Sequence, residues 1–168
     1  MALSMYELTV PVVLRGLGVL EVYLDKAAAS ATERGIDQAV FFNARLAPDM
    51  LPLSRQIQIV SDTSKFAVAR LAGIEAPSFP DTEANFEELK ERVAKTIAFV
   101  KSASAAQFEG SDLREVVLKL RGNEVKFSGK DYLLRMVLPN VFFHITTAHD
   151  ILRNQGVTLG KADYLGAF

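Results

Sequence analysis

DYLLRMVLPNVFFHITTAHDILRNQ, residues Asp131 to Gln155, has apolar residues at helical spacing on more than one side. It reads as one long helix ended by Gly156. Pro139 lacks an N–H and leaves the carbonyl one turn earlier unpaired, which predicts a kink there. Both histidines of the chain lie in this stretch. At 100° per residue, Asn140, His144 and Thr147 share one face. His149 lies about 140° further round, so the two imidazoles cannot grip one ion on a regular helix. His149 instead joins a second apolar stripe with Leu134, Leu138, Phe142 and Ile145, giving it a surface or interface role. A helix coated on two sides is covered on two sides. One cover is the bundle core; the other is a hairpin, the tail or a second subunit.

Working outward, the period changes just before this helix. Val116, Leu118 and Leu120, then Val125 and Phe127, alternate as in strands. Gly122-Asn123 between the runs predicts a hairpin over Glu115–Arg121 and Glu124–Phe127, with both turn residues at positive φ. Such a ribbon is marginal alone and must rest on helices.

Three more long helices precede it. The first spans about Ser4 to Arg34, with Ser4 and Glu7 as a capping box and Gly35 as the stop. Pro11 predicts a kink or a break confined to the first turns. Gly16 and Gly18 predict close helix approach. Asp37 caps a short helix reaching Ala44. The second long helix runs from Pro52 to Leu71, before Gly73. Pro77-Ser-Phe-Pro80 crosses to the third, about Thr82 to Ser102, capped by Asp81 or Thr82. Ser104 and Gln107 repeat the capping-box pattern over a single turn. The expected architecture is an all-α, antiparallel four-helix bundle with a small β-hairpin before the last long helix. Residues 1–168 form a single domain.

The bulk composition excludes several functions. The 168 residues carry 19 basic and 20 acidic side chains, a net charge of -1, with no basic field for nucleic acid. No apolar run approaches the roughly 20 residues that span a bilayer, so no membrane partner and a cytoplasmic location are expected. There are no cysteines, which removes disulfides, thiolate nucleophiles and cysteine-ligated metals.

The candidate site follows from facing helices. The last helix offers Asn140 and His144; the second offers Asp62, between Ile59 and Phe66. Asp62, Asn140 and His144 form a candidate metal set, better suited to a hard ion such as magnesium or manganese than to zinc. The alternative is a structural histidine bonded to Asp62 or to a carbonyl near Pro139. The connector adds Arg45 and Asp49. Arg45 either forks onto a carboxylate ligand or pairs with Asp49 or Asp62. Arg45, Asp49, Asp62, Asn140 and His144 are thus the candidate ligand-binding residues. No cofactor is expected, with a divalent metal as the alternative.

Met5-Tyr-Glu-Leu-Thr-Val-Pro11, Asn43 to Leu53, Gln58 to Asp62 with Lys65, Pro139 to Ala148, and Gly156 to Gly166 cover nearly the whole chain. In these stretches it resembles an uncharacterised bacterial domain-of-unknown-function family grouped with the DinB/YfiT-like four-helix bundles. The resemblance implies a helical bundle, often dimeric, with a metal held by three histidines. One comes from the second helix and two from a His-x-x-x-His pair on the last. Some relatives are thiol-dependent transferases or isomerases. Here the second helix has no histidine, and the positions one turn either side of His144 are Asn140 and Ala148. The expectation is therefore a homodimeric helical protein with a degenerate metal site that binds a small molecule. A metal-dependent hydrolase or thiol-dependent transferase is the alternative.

Overall fold

The computed structural model describes residues 3–120 and 122–166. Helix α1 (Met5–Arg34) opens on the expected box: Ser4 Oγ accepts from Glu7 N–H, and Glu7 takes the Ser4 N–H at 2.8 Å. Pro11 sits on the exposed side of the second turn, and the helix runs through it. Gly35 closes α1 in the left-handed region, where an L side chain is strained. Asp37 caps α2 (Gln38–Phe42), and α3 (Leu53–Ala72) follows Pro52. The third long helix, α4 (Phe86–Ser102), begins later than Thr82, because Asn85 and not Asp81 or Thr82 supplies the cap. Its side chain accepts from Glu88 N–H, while Glu88 reaches back to Ala84 N–H. Asp81 is instead committed to arginines.

A 3-10 turn (Ala105–Phe108) leads to the hairpin, β1 (Glu115–Leu120) and β2 (Asn123–Ser128). Val116 pairs with Phe127 and Leu118 with Val125, the face that meets the helices. Gly122 takes positive φ as expected, but Asn123 pairs with Leu120 as a strand residue. Gly122 therefore sits in the turn and Asn123 does not; Arg121, where the first strand was expected to end, lies outside the described residues. At the exit, a Cβ on Gly129 would lie 1.8 Å from the Ser111 carbonyl oxygen, so only glycine fits.

The last helical stretch is not one regular helix. It comprises α5 (Gly129–Tyr132), a π-helical segment (Leu133–Val137) and α6 (Leu138–Asn154). Leu138 N–H bonds to the Leu133 carbonyl, five residues back. Pro139 has no N–H to close the next regular bond, and a wider turn just ahead of it absorbs the defect. A last helix, α7 (Lys161–Leu165), folds back on α1, where Arg15 donates to the Leu165 carbonyl at 2.9 Å.

Four long helices form the bundle. Around the ring, α1 packs on α4, α4 on α3, α3 on α6 and α6 on α1. Paired residues give the directions. Thr63 meets Asn140 and Gln56 meets His144, so α3 and α6 are antiparallel. Asp25 meets Lys90 and Tyr6 meets Phe108, which makes α1 and α4 antiparallel too. Gly16 meets Ile145 and Tyr23 meets His149, so α1 and α6 run parallel. Since α3 opposes α6 and α4 opposes α1, α3 and α4 run parallel as well. The chain runs up, down, down, up, and the link from Gly73 to Asn85 returns along the bundle. One hydrophobic core unites all four helices, the hairpin and the tail. Gly16 allows the α1–α6 approach, since a Cβ there would lie 2.7 Å from Ile145 Cδ1. A Cβ on Gly18 would meet nothing within 4 Å among the described residues, so that glycine does not serve the close approach expected of it. Among the described residues no helix is long and apolar enough to cross a membrane.

Candidate functional site

His144 is buried between α6 and α3, but its partner is neither Asp62 nor a carbonyl near Pro139. Its Nδ1 lies 2.6 Å from Gln56 Oε1. The other end of that amide, Nε2, donates to the Leu51 carbonyl at 2.8 Å. A carbonyl only accepts, so the amide orientation is determined and Oε1 must face the ring. Nδ1 therefore carries the imidazole proton, and the lone pair is on Nε2. Burial pushes the His144 pKa below its ordinary value, so the ring is neutral at pH 7.

Asp62 points away from His144, towards α4. Its Oδ1 lies 2.9 Å from Arg92 Nη2 and 3.0 Å from Lys65 Nζ. Both cations are only 2% exposed. The Arg92 guanidinium also meets Asp81 at 3.0 Å and Glu83 at 2.9 Å, and its Nε donates to Ser61 Oγ at 3.1 Å. Arg55 joins Asp81 and the Gln58 amide, which in turn donates to Glu83 at 2.7 Å. Three cations and three carboxylates thus balance, pinning the returning link to α3 and α4. For Arg92, burial works against the charge, but the Glu83 hydrogen bond and the Asp62, Glu83 and Asp81 charges outweigh it and raise its pKa. For Asp81 and Glu83, burial is likewise outweighed. Arg55 and Arg92 hold Asp81 below the usual carboxylate range, while Arg92 and Gln58 hold Glu83 there.

Asn140 takes a third direction. Its Nδ2 donates to Thr63 Oγ1 at 2.8 Å. Asp62, Thr63, Phe66 and Asn140 line a cleft of about 190 Å³ beside the π-helical segment, closed by Leu118 of β1 and Met136. Tyr132, Met136 and Asn140, spaced four apart along this stretch, line the cleft from one side. Arg70 stands at the cleft mouth and donates to the buried Tyr132 hydroxyl at 2.8 Å. Burial raises the Tyr132 pKa, against the opposing Arg70 charge, so the phenol stays protonated.

The candidates therefore separate. Asp62 and Asn140 share the cleft, while His144 is bonded elsewhere on α3. Arg45 donates to the Met50 carbonyl within its own connector, pairing with neither Asp49 nor Asp62. Asp49 is exposed, and neither connector residue lines the cleft. His149 is not a surface group: it is half-buried, with Nδ1 2.9 Å from the Tyr23 hydroxyl and its ring edge-on to Tyr164 of the tail. Gln56, Arg92 and Arg70 were not singled out from sequence. Arg92 did carry a signal, since it follows Leu89 by three residues and precedes Thr96 by four on the inward side of α4.

The family model for a domain of unknown function, DUF1993, matches residues 5–165. This chain belongs to the DUF1993 family. Its fold is similar to a crystal structure described as a DinB family member protein from Shewanella denitrificans. That chain is 38% identical, with a TM-score of 0.92 and coverage of 98% of this chain and 93% of the other. No curated protein matches. The DUF1993 chain is thus a DinB-like helical protein.

A three-histidine metal centre does not fit these residues. Among the described residues, no three His, Asp or Glu side chains come together as a cation site. His144 contributes one lone pair, Asn140 is bonded to Thr63, and Asp62 already neutralises two buried cations that would repel a third.

Proposed function

We propose that this DinB-like chain is a small-ligand-binding protein that works as a homodimer, with its inherited metal position converted to a structural hydrogen bond. The observation that carries the reading is the dispersal of the three candidate ligands. Asn140 is spent on Thr63, Asp62 on Arg92 and Lys65, and His144 is held through Nδ1 by Gln56, so no second donor converges with the imidazole. Binding is supported by the cleft, which gathers Asp62, Asn140 and Thr63 beside apolar walls and a π turn. The alternative, metal-assisted hydrolysis or thiol-dependent transfer at Asp62, Asn140 and His144, lacks converging donors.

Self-association is supported by apolar surface over the His144 position. Phe143, edge-on to the His144 ring, is 57% exposed, and Leu51, whose carbonyl holds Gln56, is 44% exposed. Light scattering across a concentration series should give a dimer that Phe143→Asp converts to monomer; a native monomer throughout would end the dimer reading. Elemental analysis of protein made without a tag or chelator should find no stoichiometric metal. Manganese, magnesium, zinc and nickel should leave the melting temperature unchanged. Stoichiometric metal lost in His144→Leu would overturn the structural role of His144.

A further inference from the structure

We infer that the cleft between α3, β1 and the π-helical segment binds a small organic anion, a carboxylate carrying a compact apolar or aromatic body, with Arg70 as its anchor. This rests on the ligand-binding reading above and adds the ligand's charge and shape.

The first argument is charge. Among the described residues Asp62 is the only carboxylate lining the cleft, and it is cancelled within the balanced cluster around Arg92. Arg70, the only cation lining the cleft, has no carboxylate within ion-pair distance among the described residues. The cleft thus carries one unbalanced positive charge. That guanidinium is not loose. It lies 5.0 Å from the Phe66 ring centre and 5.6 Å from that of Tyr132, and it donates to the Tyr132 hydroxyl. An arginine held between rings keeps its planar fork ready for a carboxylate at little cost in side-chain freedom.

The second argument counts hydrogen-bond donors. The Tyr132 hydroxyl accepts from Arg70, and its own proton has no acceptor among the described residues. Thr63 Oγ1 accepts from Asn140, and its proton also lacks an acceptor. Elsewhere in the helices, Thr32, Thr96 and Thr147 donate to the carbonyl one turn back. Thr63 makes no such bond. Two unspent hydroxyl protons and a guanidinium edge in one cleft call for an acceptor-rich ligand group, and a buried donor such as the Tyr132 hydroxyl is rarely left unpaired.

The third argument is shape. Phe66, Leu118, Met136 and Val137 supply the walls. A volume of about 190 Å³ matches roughly six waters of liquid volume, well below that of most drug-sized pockets. A single ring or short chain fits, with its carboxylate towards the mouth.

The test titrates the full chain, labelled at its methionine methyls, with benzoate and with the near-isosteric neutral benzamide. Met136→Leu assigns the reporter methyl. Benzoate should shift the Met136 signal saturably and bind at least tenfold more tightly than benzamide. Arg70→Gln should erase that preference, and Tyr132→Phe should reduce it several-fold. Equal affinity for the two probes in the native chain, which needs no variant to fold, would overturn the inference and leave the ligand-binding reading standing. So would benzoate affinity unchanged in Arg70→Gln. If neither probe moves the Met136 signal at millimolar concentration, both readings fail.

Discussion

The two polar centres flanking α3 meet the cost of burial in opposite ways. On the α6 side, His144 stays neutral, because desolvation lowers its pKa, and a single amide satisfies it. On the α4 side, Arg92 cannot discharge, so it is surrounded by Asp62, Asp81 and Glu83, with Lys65 and Arg55 balancing the excess. A titratable group that can shed its charge needs one partner; one that cannot needs a shell of them. The neutral centre is therefore replaceable as a pair, and the ionic one is not.

Breaking the ionic side should cost most. Arg92→Met leaves Asp62, Asp81 and Glu83 facing one another and should lower stability by about 3–5 kcal/mol. Chemical denaturation measures this, and limited proteolysis should show the link from Gly73 to Asn85 newly open to cleavage. A loss as small as that of an ordinary surface change would erase the distinction drawn above. On the neutral side, His144→Ala should cost roughly 2–4 kcal/mol, from the cavity and the orphaned Gln56 carbonyl.

Gln56→Leu alone should cost about 1–3 kcal/mol, since it strands the imidazole N–H. Adding His144→Leu should recover most of that loss, and a double-mutant cycle reports the coupling. No matching rescue is expected from Asp62→Leu in the Arg92→Met background, because Asp81 and Glu83 remain.

The smallest effect is in the pH profile. The unfolded chain protonates His144 more readily than the folded one, so acidification should erode stability from about pH 6.5 downwards until the folded ring also protonates. Asp81 and Glu83 have depressed values when folded. Their contribution is complete above about pH 5 and is lost as acid carries them through pH 4 and below. Stability against pH should thus fall in two stages, and the Gln56→Leu/His144→Leu pair should remove the upper one alone.

Features encoded within a few residues were legible in the sequence. The Ser4–Glu7 and Ser104–Gln107 boxes, the Gly35 and Gly73 stops and the strand alternation at Val116 and Leu118 all depend on near neighbours. The start of α4 was misplaced because Asp81, a good cap by type, is drawn away by Arg55 and Arg92 across the fold. Pro139 announced a defect, but whether it becomes a kink or a π turn depends on packing. Periodicity shows which residues point inward and not which partner they meet. His144 was therefore placed in the interior while Gln56 went unnoticed. Nor does periodicity separate Asp62, which points from α3 towards Arg92 of α4, from His144 of α6, which meets α3 at Gln56.

The up-down-down-up course also bears on how the chain reaches this state. Tyr23 and His149, in contact across parallel helices, are 126 residues apart, and Arg15 meets Leu165 at a separation of 150. Neighbouring helices joined by short turns would assemble from local encounters. Here α3 and α4 associate only after the link has doubled back, and α6 must find α1 from the far end of the chain. Loop-closure entropy is spent before those contacts form. Refolding should accordingly be slower than for an equally stable bundle of simple hairpin connectivity.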